Sequence, residues 1–291
     1  MAEVRPSAPT EGKRPFWRAL FAPDKRLLWL SGVVLLLVAA VWAWFTPAGL
    51  LGKADAIGYA VCHRITVRSF LFPDGRQLPL CARCSGTFLG VLIGLWGPGI
   101  LLGRRRAARF PPAAILAVML GMSLLWALDG TNSFLHLIPA PNIPRFYTPT
   151  NFLRLLTGML HGITLGSLTL PIANATLWAD TTDRRTIEHW WQLGLLYAIG
   201  GLMIAMILSG AAIFLYPLAV LSAVGVLAIL GTISTLMLAT LTGRENAAYT
   251  LWDALPLIFG GLALALALIG GIDALRYAIF GSWSGFVFPE A

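Results

Sequence analysis

The chain has 291 residues, is 57% hydrophobic and only 12% charged, and carries a formal net charge of +8. Soluble domains typically hold about 25% charged residues, so this composition excludes an ordinary water-soluble globule and points to one polytopic membrane domain. The basic excess reads as a topology signal and an attraction to anionic lipid. With no basic extramembrane domain large enough to hold a duplex, nucleic-acid binding is excluded.

Residues 1–26 form a polar leader. "MAEVRPSAPTEGKRP" lacks apolar periodicity and is expected to be disordered, whereas "FWRALFAPDKR" is expected to lie along the membrane surface with its aromatic rings at headgroup level. Span one, residues 27–52, is much longer than the roughly 7–15-residue apolar core of a cleavable signal and is read as a retained anchor. Spans two, three and four follow at residues 84–103, 110–128 and 155–179. The uncharged run 190–243 is too long for one crossing, which takes about 20 residues. It is expected to divide near "FLYPL", because Pro217 breaks a helical ladder and suits a helix start. Residues 254–272 make the last span. The fold class is therefore an all-α, polytopic transmembrane bundle of seven spans over residues 27–280, with a tail at 281–291.

Lysine and arginine placement sets the orientation. The leader holds Arg5, Lys13, Arg14, Arg18, Lys25 and Arg26; "GRRRAARF" follows span two; Arg184 and Arg185 follow span four. If seven helices alternate, all three groups share one side, which places the N-terminus in the cytoplasm of a prokaryotic inner membrane. The loop 53–83, the loop 129–150 and the tail then lie outside. Arg64, Arg68, Arg76 and Arg83 run against this rule: either the topology is inverted, or partners hold these arginines in a folded site.

That loop also gathers all three cysteines. Cys81-Ala-Arg-Cys84-Ser-Gly86 is a CxxC at the start of span two, and Cys62-His63 lies upstream across a Pro73-Asp74-Gly75 turn that folds the loop back. Cys62, His63, Cys81 and Cys84 match the donor set of a tetrahedral Cys3His zinc site, or of another thiophilic metal. Gly86 is expected to let backbone amides turn toward the sulfurs. Neighbouring Cys62 and His63 are awkward as joint ligands, with His136 or His161 as substitutes. Two other readings stay open: a thiol–disulfide pair at a helix N-terminus with Cys62 as the third thiol, and an inert structural disulfide or buried thiols. Covalent haem is disfavoured because serine, not histidine, follows Cys84.

Span four places Asn151, Arg154, Gly158 and His161 on one helical face, with His161 about 15 Å along the axis from Asn151. Ionisable groups in a span are functional candidates by default; His161 alone is more simply read as one satisfied interhelical hydrogen bond. Asp129, closing span three in "WALDGTNSF", is expected to pair with Arg154 or to hold a substrate group or a proton. Asp253 is read as a cap for span seven, and Asp273 with Arg276 as its close. Gly86, Gly90 and Gly94 repeat every four residues in span two, as do Gly158, Gly162 and Gly166 in span four. Such rows let helices approach closely, and packing them together would set Cys81 and Cys84 beside Asn151 and Arg154. No GxSxG, HExxH, Walker or GxGxxG motif stands in a suitable context, and no internal repeat is visible.

The order CHR…RSF…PLCARCSG, then LDG, then NxxRxxTG resembles a prokaryotic multi-pass membrane family catalogued as a domain of unknown function. The resemblance covers residues 62–166 and strengthens the site list without naming a reaction. The sequence thus supports an extracytoplasmic metal site, structural or Lewis-acidic, with Asp129, Asn151, Arg154 and His161 as candidate catalytic or binding residues toward a polar or anionic membrane-associated substrate. The alternatives are a membrane thiol–disulfide oxidoreductase, and an accessory subunit whose spans five to seven face a membrane-protein partner.

Overall fold

The computed structural model describes residues 25–138 and 144–285; most of the leader, including nearly all of its surface-lying segment, and the end of the tail fall outside the described residues. Seven described helices are long and apolar enough to cross a membrane: α1 Lys25–Phe45, α3 Ala82–Leu101, α4 Ala113–Leu135, α5 Asn151–Leu177, α6 Trp190–Leu208, α7 Ala212–Leu241 and α8 Leu251–Phe280, with the short α2 Leu50–Val61 between the first two. The expected all-α bundle is what the chain forms.

Helices α3 and α5 make its centre. Cβ atoms added at Gly86, Gly90 and Gly94 would run into the backbone of α5 at residues 155–167, and Cβ atoms at Gly158, Gly162 and Gly166 would run into α3 at residues 83–95. The two glycine rows are thus one backbone-to-backbone seam, driven by close packing because lipid supplies no hydrophobic contrast. In α3, 72% of the most apolar stretch is buried, against 17% in α4 and 6% in α1, so the latter two lie at the outside of the bundle with most of their apolar surface uncovered by the chain. The seam also reassigns Gly86. It meets Leu155 and Met159 of α5 and does not turn amides toward the sulfurs.

Of the boundaries that differ from expectation, two redirect the chain, while α4 and α8 simply run on past residues 128 and 272. The long run divides at Ser209–Gly210, where Gly210 adopts φ +67° and turns the chain. Pro217 lies inside α7 as its sixth residue, beyond the four N–H groups that a helix start leaves unpaired, so it removes one ladder bond, a loss that membrane helices tolerate. Span one ends at Phe45 instead of residue 52; a bend at residues 46–49 precedes α2, whose inner face buries Ala54, Ala56, Ile57 and Tyr59. The cap read at Asp253 is present: its carboxylate accepts from Thr250 N (2.9 Å) and Tyr249 N (3.1 Å).

The two basic loops meet at one end of the bundle. Strand β1, Ala107–Arg109, pairs in parallel with β2, Thr182–Arg185. Arg104, Arg106 and Arg109 pair with Glu188, Asp180 and Asp183. The cysteine loop lies at the other end.

Candidate metal centre

The loop after α2 is built to fold back. The C-terminal turn of α2 is closed by Cys62 N donating to Gly58 O (2.9 Å), and Cys62 itself is extended. Arg64 takes a left-handed φ of +51°, which a non-glycine residue adopts only when its surroundings hold it. Here Gln77 Nε2 donates to Arg64 O (2.9 Å), and the Arg64 side chain pairs with Asp55 (3.0 Å). The Pro73-Asp74-Gly75 turn has Gly75 at φ +82° and Asp74 accepting from Arg76 N (3.0 Å). Antiparallel bonds Phe72 N to Arg76 O (2.8 Å) and Leu78 N to Phe70 O (3.0 Å) zip its flanks. The return strand delivers Leu80 and Cys81 beside Cys62, and Cys81 is the N-cap of α3.

As a result the ligand atoms of Cys62, Cys81 and Cys84 lie within 4.8 Å of one another. Their walls are apolar: Ala54, Ile57, Leu80, Val226 and Ile269 pack around Cys62 and Cys81, which are 5% and 2% exposed. Two backbone amides donate to Cys62 Sγ, from Arg64 (3.4 Å) and Cys81 (3.3 Å). The Cys62 thiol is held well below its ordinary value by hydrogen bonds from the Cys81 and Cys84 thiols, against the opposing effect of burial. Cys81 is pushed up to about 12, because its proton is committed to Cys62.

His63 does not join the trio. Its Nδ1 accepts from Ile65 N (2.9 Å). A neutral imidazole accepting at Nδ1 carries its proton on Nε2, so neither nitrogen is available to a metal in this rotamer. Burial lowers the His63 pKa, with the Cys62 charge opposing and Arg68, Arg83 and Arg154 adding to the depression. The substitutes are placed elsewhere too. His136 Nδ1 meets Asn132 O (2.8 Å); His161 Nδ1 meets Ser123 Oγ (3.0 Å), with its ring stacked 4.2 Å from Trp126.

Beside the thiols stands an arginine cluster. Asp129 does not end its helix: α4 continues to Leu135, and Asp129 is 2% exposed inside it. Its partner is Arg83, not Arg154 as expected; Arg83 starts from the first turn of α3 and reaches across to α4. Arg154 is turned by Asn151 Oδ1 (2.8 Å) and Ser133 Oγ (3.4 Å). Ser133 is the hub, accepting also from Arg83 (3.0 Å) and, through its carbonyl, from Arg68 (2.8 Å). Asn151 is spent on this frame: its amide donates to Val67 O (3.3 Å) and Ser69 O (3.4 Å). Tyr147 donates to Asp129 Oδ1 (2.6 Å), and partial burial with that bond pushes its phenol up to about 12. Burial and the Arg83 charge depress the Arg68 guanidinium.

Partners therefore hold all four loop arginines: Arg64 and Arg76 share Asp55, Arg83 takes Asp129, and Arg68 takes Ser133 O. The positive-inside rule describes loop charges in water; Arg64, Arg68 and Arg83 are folded in, and the exposed Arg76 is paired with Asp55. Sequence reasoning missed Ser133, Asp55, Tyr147 and the reach of Arg276. Arg276 acts on Asp273 through its charge; it also reaches further, donating to Tyr59 O and to Cys62 O (2.9 Å) and lying 4.0 Å over the Tyr59 ring. A lone arginine near the end of an apolar helix was the available signal.

Residues 62–168 match the family described as "Predicted membrane protein (DUF2085)". That segment contains the whole CHR-to-TG signature and every residue of the thiol trio and arginine cluster, while α6 to α8 lie beyond it. A protein of Methanocaldococcus jannaschii described as uncharacterized is 30% identical over 120 residues, which is 40% of this chain. This chain spans 66% of that relative's length. No solved structure matches.

Proposed function

We propose that this is an inner-membrane protein of a prokaryote whose Cys62, Cys81 and Cys84 hold a zinc ion on the extracytoplasmic side. The observation that carries the reading is the convergence of three sulfurs from two separate loop segments and a helix start, all within 4.8 Å. Sulfurs around a tetrahedral zinc with bonds of about 2.3 Å stand roughly 3.8 Å apart, so small side-chain shifts suffice. The two amide N–H groups aimed at Cys62 Sγ suit a thiolate. Charge supports it as well. Arg68, Arg83 and Arg154 face one carboxylate, Asp129, and three thiolates with a divalent cation would add one compensating negative charge.

With His63 engaged by Ile65 N, three protein ligands leave the fourth position to water or substrate, the arrangement of catalytic rather than closed structural sites. Zinc bound there would supply Lewis acidity. The chain's own contribution is the arginine cluster, held rigid by Ser133, Asn151 and Asp129, which favours an anionic group on the substrate. The domain division follows: a leader over residues 1–26 inside, the bundle over 27–280, and the tail outside with the cysteine loop.

Metal analysis of the purified full chain tests this. About one zinc per chain is expected, lost in each of Cys62→Ser, Cys81→Ser and Cys84→Ser and kept in His63→Ala. A metal-free chain whose thiols interconvert between disulfide and dithiol would instead establish the oxidoreductase reading. The lowered Cys62 thiol beside two further cysteines within 4.8 Å is the feature that favours that alternative.

A further inference from the structure

Helix α1 leans on α8 and leaves a groove of about 830 Å³ between them. Its walls are apolar, from Leu37, Val41 and Phe45 on α1 to Leu266 and Ala274 on α8. One group breaks the pattern. Asp273, only 3% exposed, lines the groove. Its Oδ2 accepts from Trp42 Nε1 (3.1 Å), while its buried Oδ1 has no hydrogen-bond partner. A buried carboxylate oxygen left unsatisfied is costly, and here the residue that carries it lines a space shaped for an apolar body, so a small turn of the side chain would present Oδ1 to an occupant.

We propose that this groove binds a lipid with one alkyl or isoprenoid chain and a neutral hydroxyl head that donates to Asp273 Oδ1. The volume lies within the roughly 300–1,000 Å³ of small-molecule sites and is too small for a further helix, whose diameter is about 10–12 Å. The head is fixed by charge. An anionic head meets the carboxylate. A cationic head meets Arg276, whose charge already acts on Asp273, and Lys53, whose ammonium is fastened to Thr46 on the groove wall (2.9 and 3.0 Å). A neutral donor satisfies Oδ1 without either conflict. The site also adjoins the thiol trio, since Trp42 packs on the cluster containing Cys62 and Cys81, and Arg276 holds Cys62 O. It stands independently of the zinc reading, because it uses none of the thiols.

The test uses the full chain in phosphatidylcholine vesicles and a long-chain alcohol bearing a diazirine. Labelled residues are mapped by mass spectrometry, with unlabelled alcohol, amine and carboxylate of equal chain length as competitors. Labelling is expected on the groove residues of α1 and α8. The alcohol should compete about tenfold better than the other two, the scale of one hydrogen bond to a charged group. Asp273→Leu should level the three competitors, and Ala274→Leu, which fills the groove, should abolish the label. Equal labelling of the lipid face of α4 at Leu120 and Leu124, or a head preference that survives Asp273→Leu, would overturn the proposal. If Asp273→Leu does not fold, the comparison on the native chain decides alone, and equal competition by the three heads overturns the proposal.

Discussion

Gly162→Ala isolates the helix seam on which the site is mounted. A Cβ there would lie 2.8 Å from Thr87 C and 3.0 Å from Gly90 Cα, and nearer still to Thr87 O. Ordinary carbon contacts begin near 3.5 Å, so α3 and α5 must part by roughly 1 Å. Neither obstacle is a side chain that can swing away. Overpacking costs about 1–3 kcal/mol, and a backbone obstacle belongs at the top of that range. About 3 kcal/mol is a more than hundredfold loss in the folded-to-unfolded ratio. The control is Gly121→Ala in α4, where an added Cβ meets nothing within 4 Å; it should be neutral or gain up to about 1 kcal/mol from the higher helix propensity of alanine. Unfolding of both variants is followed in one detergent by helical circular dichroism. Gly162→Ala should also lose zinc affinity, because Cys84 and Arg83 ride on α3. Equal midpoints for the two variants would refute the seam.

Asp129→Ala should cost about 3–5 kcal/mol, the price of leaving a buried guanidinium unpaired; a double-mutant cycle should find strong coupling to Arg83 and weak coupling to Arg154. Tyr147 should ionise near pH 12, read as the ultraviolet difference between wild type and Tyr147→Phe. Because its folded value lies above the unfolded one of about 10, the neutral phenol is the favoured form; its stabilisation is present below about pH 10 and lost as pH rises toward 12. In Asp129→Asn the transition should move down. A periplasmic alkaline phosphatase joined after Gly285 should be active, since that residue lies against Arg64 O at the cysteine-loop end; an inactive fusion would invert the topology.

The sequence made the spans legible, because hydropathy measures what lipid selects for. It also showed the α3–α5 seam, since spacing by four encodes a face and two rows on adjacent mouths have few other partners. The thiol trio followed from a turn signal that closes a loop. Pairing inside the charged cluster was less readable. Span order placed Asp129, Arg83, Arg68 and Arg154 at one end of the bundle, but the choice of Arg83 over Arg154 depends on helix rotation, which linear spacing does not set. His63 was misplaced for a similar reason: its adjacency to Cys62 said nothing about which way an extended residue points its ring. The helix break at Gly210 lost out to Pro217 because proline looks like the stronger punctuation, although a positive φ and not a missing N–H ends α6. Helix α2 was hidden because the apolar run of span one continues past the bend at residues 46–49.

X-ray absorption at the zinc edge tests the central claim most directly. The purified full chain should show three sulfur neighbours near 2.3 Å and one nitrogen or oxygen neighbour near 2.0–2.1 Å, unchanged in His63→Ala. A chain without zinc, or a zinc shell of nitrogen and oxygen alone, would contradict it.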